Sequence, residues 1–287
     1  MDDSDIYQPK IARRTLTRRI RAADYAISEW GDDAAPLIVY LHGWGDCAAS
    51  FQFVIDAFAR DWHVVAPDWR GFGDSKVVTE AYWFPDYLAD LDEILQIYSP
   101  DQPARIVGHS MGANVAGLYA GSMPERVAAF ANVEGFGLRE TDPADAPQNY
   151  REWLEAGRSV PEFATYSDFD ALARRVMKRS PLLDMAGARF VARTWAEERN
   201  GRIELRADSR HKRPNAVLYR RAEAEACWAR IAAPTILISG AQSSFGESPM
   251  TMPNAARHTL PEAGHMMHFE VPEALAALLE GFFGKYL

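Results

Sequence analysis

Cysteine is scarce. Cys47 and Cys227 are the two in 287 residues, so no disulfide framework beyond one bridge is possible. Reduced thiols and an intracellular, cytoplasmic setting are the expectation. Long apolar runs are missing too: none approaches the ~20 residues that span a bilayer, which excludes a transmembrane helix. The segment Met1-Asp2-Asp3-Ser4-Asp5 is acidic where a signal peptide would be basic and then apolar. Basic charge is in deficit, with 31 Lys/Arg against 40 Asp/Glu and a net charge of −9. That argues against a nucleic-acid partner, whose phosphates need a basic footprint. No internal repeat and no Gly/Ser linker divides the chain.

What is present is a globular composition, 48% hydrophobic and 25% charged, with a regular rhythm. Residues 15–20 and 23–30 read as a strand pair, the second showing alternation. Pro36 to Leu41 is a short continuous apolar run, as in a strand buried on both faces. A helix follows, placed with Ser50 as its cap and running to Arg60. Strands are expected at 63–66, 104–107 and 127–133, with helices over 86–98 and 111–120 between them. Such alternation implies a mostly parallel sheet with right-handed crossovers and helices on its faces. Between Arg139 and Pro214 the rhythm breaks. Helices are expected near 150–156, 168–179 and 188–199, and no strand is apparent. Residues 139–213 also differ in charge, carrying 15 Lys/Arg against 13 Asp/Glu; a solvated helical face explains this more simply than an anion site. The rhythm resumes with a helix near 221–230, strands at 235–239 and 256–260, and a final helix over 272–283. The expected organisation is an α/β core of residues 1–138 and 214–287, with 139–213 as a helical cap over one end of the sheet. Ligands bind at the carboxyl ends of such strands.

Gly108-His109-Ser110-Met111-Gly112 carries the strongest chemical signal. A G-x-S-x-G string between a strand and a helix is the setting of a nucleophile held on a sharp turn. Side chains at the two glycine positions would crowd that turn. Ser110 is the candidate nucleophile. His42-Gly43-Trp44-Gly45 follows a strand end, and an oxyanion hole needs two N–H donors aimed at one oxygen; the N–H groups of Trp44 and Met111 are the candidates. Asp68 to Ser75 holds a Gly-x-Gly but lacks the third glycine and the helix start of a phosphate loop, so it reads as a structural turn. Among seven histidines, His265 stands out, after Gly264 in the loop following the last strand. His42 and His109 are expected to hold backbone. His265, His268 and Glu270 have metal-ligand chemistry, but a third ligand at clear spacing is missing, so no metal is expected.

These motifs, with Gly264-His265-Met266-Met267-His268-Phe269-Glu270 and Asn132-Val133-Glu134-Gly135-Phe136-Gly137, make the chain resemble the α/β-hydrolase fold superfamily, and within it lid-bearing serine hydrolases of the serine hydrolase-like kind. The order of the motifs matches, and the resemblance covers nearly everything outside 139–213. It implies an α/β-hydrolase fold, Ser110 as nucleophile, His265 as base, and Trp44 and Met111 as oxyanion donors.

The third triad member departs from the common pattern. The usual aspartate after the strand at 235–239 is missing from Gly240-Ala241-Gln242-Ser243-Ser244-Phe245-Gly246-Glu247. Glu134, ending the preceding core strand, is the favoured acid; Glu247 is the alternative, and absence of any acid is a third. The implied activity is cofactor-free hydrolysis of a carboxylic ester of a small to medium, partly apolar molecule. Hydrolysis of a carbon–carbon bond, perhydrolysis, or weak binding without turnover are the competing readings. Trp153, Phe163, Tyr166, Phe169 and Trp195 in the cap fit its own core better than a substrate wall.

Overall fold

A computed structural model describes residues 5–77, 79–244, 252 and 255–287. In chain order, the strands are β1 (Arg14–Ile20), β2 (Ala23–Trp30), β3 (Leu37–Leu41), β4 (His63–Pro67), β5 (Ala104–His109), β6 (Val127–Val133), β7 (Ala196–Arg199), β8 (Arg202–Leu205), β9 (Thr235–Gly240) and β10 (Ala255–Leu260). The helices are α1 (Gln52–Ala57), α2 (Phe84–Tyr98), α3 (Met111–Ser122), α4 (Ala146–Ala156), α5 (Phe169–Arg179), α6 (Met185–Trp195), α7 (Arg221–Trp228), α8 (Met267–Glu270) and α9 (Pro272–Phe283). Eight strands form one sheet in the order β1-β2-β4-β3-β5-β6-β9-β10. β2 runs antiparallel to β1 and β4, and the remaining pairs are parallel.

The central strands are apolar on both faces because both faces are covered. Val39, Leu41, Ile106 and Phe130 join a core with Leu91, Ile94 and Leu95 of α2, Val115 and Ala116 of α3 and Trp228 of α7. Ile38, Tyr40, Val107, Ala131 and Ile238 face the other way, toward Val54 of α1 and Leu275, Leu279 and Phe283 of α9. Each such Val, Leu or Ile contributes about 1.5–3 kcal/mol on burial. No helix among the described residues is long and apolar enough to cross a membrane. Cys47 and Cys227 are both free thiols.

Residues 139–213 stand outside this sheet. α5 and α6 begin at Asp168 and Asp184, whose side chains accept from the N–H groups of Ala171 and Gly187. Their apolar faces meet through Leu172, Val176, Ala188 and Val191. Tyr166, Phe169 and Trp195 pack against this cluster, which also takes in Phe53 and Phe269 from outside the segment.

Two local expectations fail. The helix foreseen over 188–199 spans Met185–Trp195, and its tail becomes β7, paired with β8. The cause is Asn200-Gly201, both at positive φ (51° and 74°), an Asn-Gly hairpin turn that the helical reading passed over. The hairpin does not join the main sheet. Ser50 is not a helix cap: it lies inside a 3₁₀ turn, Ala48–Phe51, and its hydroxyl serves Asp46 instead.

Candidate active site

The site lies where β3, β5, β6 and β9 end. Ser110 follows β5 with φ 49° and ψ −112°, off the normal regions for an L-residue, and α3 starts immediately after it. Its N–H is held by the Val133 carbonyl at 2.7 Å. The flanking glycines are required by distance. A Cβ at Gly108 would sit 2.5 Å from Ala113 Cα, and one at Gly112 would sit 2.2 Å from the Leu41 carbonyl oxygen. Backbone strain of this kind persists only where surrounding structure enforces it.

The loop after β3 lies against the serine. A Cβ on Gly43 would come 2.8 Å from His109 Nδ1 and 3.2 Å from Ser110 Cβ, so a glycine lets this loop lie against the Ser110 turn. His42 fixes the start of this loop. Its Nδ1 lies 2.7 Å from the Gly43 carbonyl, its Nε2 accepts from the Trp69 N–H at 2.8 Å, and burial lowers its pKa. The Asp68–Ser75 segment is the structural turn expected: Asp68 accepts from the N–H groups of Ala48 and Asp74. The Trp44 side chain is half exposed, with Phe72 and Phe163 about it at ring separations of 6.1 and 6.2 Å. Phe163 thus reaches toward the loop after β3.

Glu134 follows β6 at φ 60°, one of four non-glycine residues at positive φ among the described residues. Reciprocal hydrogen bonds between the Asn132 side chain and Gly135 backbone close the turn around it, at 2.8 and 2.9 Å. The Glu134 side chain is fully buried and meets three groups. Oε1 accepts from the Gly240 N–H at 2.8 Å; Oε2 accepts from Ser243 Oγ at 2.5 Å and lies 3.1 Å from His265 Nδ1. The carboxylate expected to reach His265 does reach it. Glu247 lies outside the described residues.

His265 is held from behind. Its carbonyl is 2.9 Å from His109 Nε2, and Gly264 N–H donates to Glu270 Oε2 at 2.6 Å. His109 therefore holds backbone as anticipated, and burial, followed by repulsion from His268 and His265, pushes its pKa well down. The trio His265, His268 and Glu270 does not converge: His265 faces Glu134, His268 faces Asp46, and Glu270 is bonded to backbone. What sequence reasoning missed is the support for the acid. Ser243 stands in the sequence as one residue of the loop after β9, and its role as donor needed the adjacency of β6 and β9.

The arrangement places a hydroxyl on a strained turn with a glycine loop against it, and an imidazole fixed through Nδ1 by a carboxylate. Comparison with known proteins agrees with the fold. A family model described as alpha/beta hydrolase fold matches residues 36–272. A serine hydrolase-like protein from Danio rerio is 23% identical over 273 residues, covering 88% of this chain and 83% of that one. A pimeloyl-[acyl-carrier protein] methyl ester esterase from Chromobacterium violaceum is 27% identical over 240 residues, covering 80% of this chain and 87% of the relative. A solved thioesterase domain from the curacin biosynthetic pathway superposes with a TM-score of 0.85 at 26% identity, covering 94% of this chain and 99% of that domain.

Proposed function

The chain belongs to the alpha/beta hydrolase family, and on that premise we propose that it is a serine hydrolase that cleaves carboxylic esters through an acyl-enzyme. The observation that carries this is the 3.1 Å contact of Glu134 Oε2 with His265 Nδ1, at the end of the strand next to the one bearing Ser110. With Nδ1 facing Glu134, the role of base falls to Nε2. His265 takes the Ser110 proton as Oγ attacks the ester carbonyl, and the Trp44 and Met111 N–H groups hold the oxyanion. The leaving alcohol departs with the proton from His265. The same imidazole then activates water to release the acid, while Glu134 stabilises the imidazolium. Every proton and electron pair moves among these groups and substrate, so the cycle requires no cofactor.

Residues 139–213 act as the cap over a core of 1–138 and 214–287. They bind the loops after β3 and β4, with Trp195 donating to Asp46, Gly73 N–H to the Arg206 carbonyl, and Asp208 N–H to the Gly71 carbonyl. His211 stacks between Phe72 and Tyr82 at 3.9 and 3.5 Å, and burial lowers its pKa to about 4, so it docks as a neutral ring. The half-exposed Trp44, with Phe163 beside it, favours a partly apolar acyl or alcohol group.

A fluorophosphonate probe combined with a panel of esters, thioesters and β-diketones tests the reading. Labelling of Ser110 with turnover of esters is the expected result. Turnover of diketones alone would replace ester hydrolysis by carbon–carbon cleavage, and no labelling at all would leave a binding protein. The thioester arm matters because the superposed domain is a thioesterase.

A further inference from the structure

Behind the candidate triad lies a second buried polar cluster that the mechanism does not use. Asp46, two residues beyond Trp44, is 3% exposed. Its Oδ1 accepts from the Cys47 N–H at 2.8 Å and from Trp195 Nε1 at 2.7 Å. Its Oδ2 accepts from Ser50 Oγ at 2.9 Å and lies 3.1 Å from His268 Nε2. His268, itself buried, packs its ring 4.7 Å from that of His109, whose own ring lies 4.8 Å from His265. Trp195 belongs to the cap, Asp46 to the oxyanion loop, His268 to α8 just after His265, and His109 to the nucleophile turn. One carboxylate thus bonds directly to the cap and to the helix that follows His265, and it reaches the turn bearing Ser110 through the ring contact of His268 with His109.

The same donor set has metal-ligand character: one atom each from Asp46, His109 and His268 lie within 4.8 Å of one another. The hydrogen bonding speaks for another role. All four lone-pair positions of the Asp46 carboxylate are taken by protein donors, so a cation would have to displace bonds already made. Burial raises the carboxyl's pKa, but the hydrogen bond from His268 and the surrounding imidazoles outweigh it and hold Asp46 ionised. An ionised carboxylate in a low-dielectric interior keeps its four donors in strict geometry.

We propose that Asp46 is a positioning residue that locks the cap, through Trp195, to the oxyanion loop and to the segment carrying His265. The docked cap and the aligned oxyanion loop are then one state, and a cap lifted from Asp46 leaves the Trp44 N–H unaligned. This rests on the Ser110, His265 and Trp44 roles proposed above. It assigns Asp46 no contact with substrate.

Trp195→Phe tests it, since it deletes the indole N–H while keeping a ring against Phe269. Expected are about a tenfold loss in kcat for ester hydrolysis, a parallel loss in the fluorophosphonate labelling rate of the folded protein, and KM changed by less than about threefold. Asp46→Asn should cost at least as much. The double variant should be no worse than Asp46→Asn alone, because both act through one bond. Wild-type kcat and labelling in folded Trp195→Phe overturn the proposal, as does a double variant whose losses multiply. Should Asp46→Asn fail to fold, Trp195→Phe decides by itself. Wild-type protein that resists labelling overturns the triad reading and this one with it, whereas a labelled wild type with an indifferent Trp195→Phe sinks this proposal alone.

Discussion

The carboxyl ends of β6 and β9 are neighbours in the sheet, and they carry opposite halves of one interaction. At the end of β6 the chain turns through Glu134 at positive φ and sends a carboxylate across to the next strand. At the end of β9, where α/β hydrolases usually place their acid, the chain offers donors: the Gly240 N–H and the Ser243 hydroxyl. Here the loop after β6 carries the carboxylate and the loop after β9 carries its donors. The imidazole senses a carboxylate at Nδ1, not the strand it came from. Parallel strands about 4.8 Å apart put either strand end within the length of a Glu side chain. The extra reach of Glu over Asp makes the β6 position workable, and the donors on β9 keep the longer side chain from wandering.

The largest effect that bears on this comparison removes its common target. Ser110→Ala should reduce kcat for ester hydrolysis on the order of 10⁶-fold, by analogy with other triads. Stability should hold or rise, since a serine on this turn contributes little packing. Steady-state kinetics alongside thermal denaturation measure both. An active, folded Ser110→Ala protein removes the reason to call either loop part of a catalytic site.

Next in size is the acid itself. Glu134→Gln keeps the shape and the reach but lets an amide face Nδ1, and such a change costs about 10⁴ in kcat where the acid sets the tautomer. Glu247→Gln is the matching change in the other loop and should stay within about twofold of wild type. Reversed magnitudes in the same assay would hand the acid back to the loop after β9. A sharper version transplants the charge: Ser243→Asp in the Glu134→Gln background should recover about 10- to 100-fold of the lost kcat, because Ser243 already meets the atom that meets His265. No recovery in a folded double variant would mean that the two strand ends are not interchangeable.

Much of this was legible before any coordinates. The alternation of strands and helices, Ser110 between Gly108 and Gly112, and His265 after Gly264 are local patterns with one physical reading each. Glu134 was legible only through the resemblance, since some members of the superfamily carry the acid at the end of this strand, and Glu247 stayed open beside it. The β7–β8 hairpin was legible in Asn200-Gly201 and overlooked because a helical pattern ran into it. Asp46 and Ser243 could not be read, because their importance lies in partners far away in sequence. Trp195 is 149 residues from Asp46, and Glu134 is 109 residues from Ser243. A single sequence shows a polar residue in a loop, and only the sheet order shows what it faces.

The smallest effect tests the donor side of the comparison. Ser243 Oγ and His265 Nδ1 share one oxygen of a fully buried carboxylate. Losing the hydroxyl acts in two directions. The carboxylate becomes a stronger acceptor for the imidazolium, which favours turnover, but it is held by the Gly240 N–H at Oε1 and by His265 at Oε2, with one donor fewer to fix its plane. Orientation should win, because the tautomer and ring angle depend on where Oε2 sits. Ser243→Ala should lower kcat about three- to tenfold with KM nearly unchanged. It should also cost about 1–2 kcal/mol of stability from a lost hydrogen bond to a buried charge, read as a Tm lower by a few degrees. Ser243→Thr keeps the hydroxyl and should retain most of the rate. If Ser243→Ala turns over faster than wild type, the hydroxyl restrains the carboxylate's basicity more than it fixes its position, and the β9 loop tunes the acid instead of holding it.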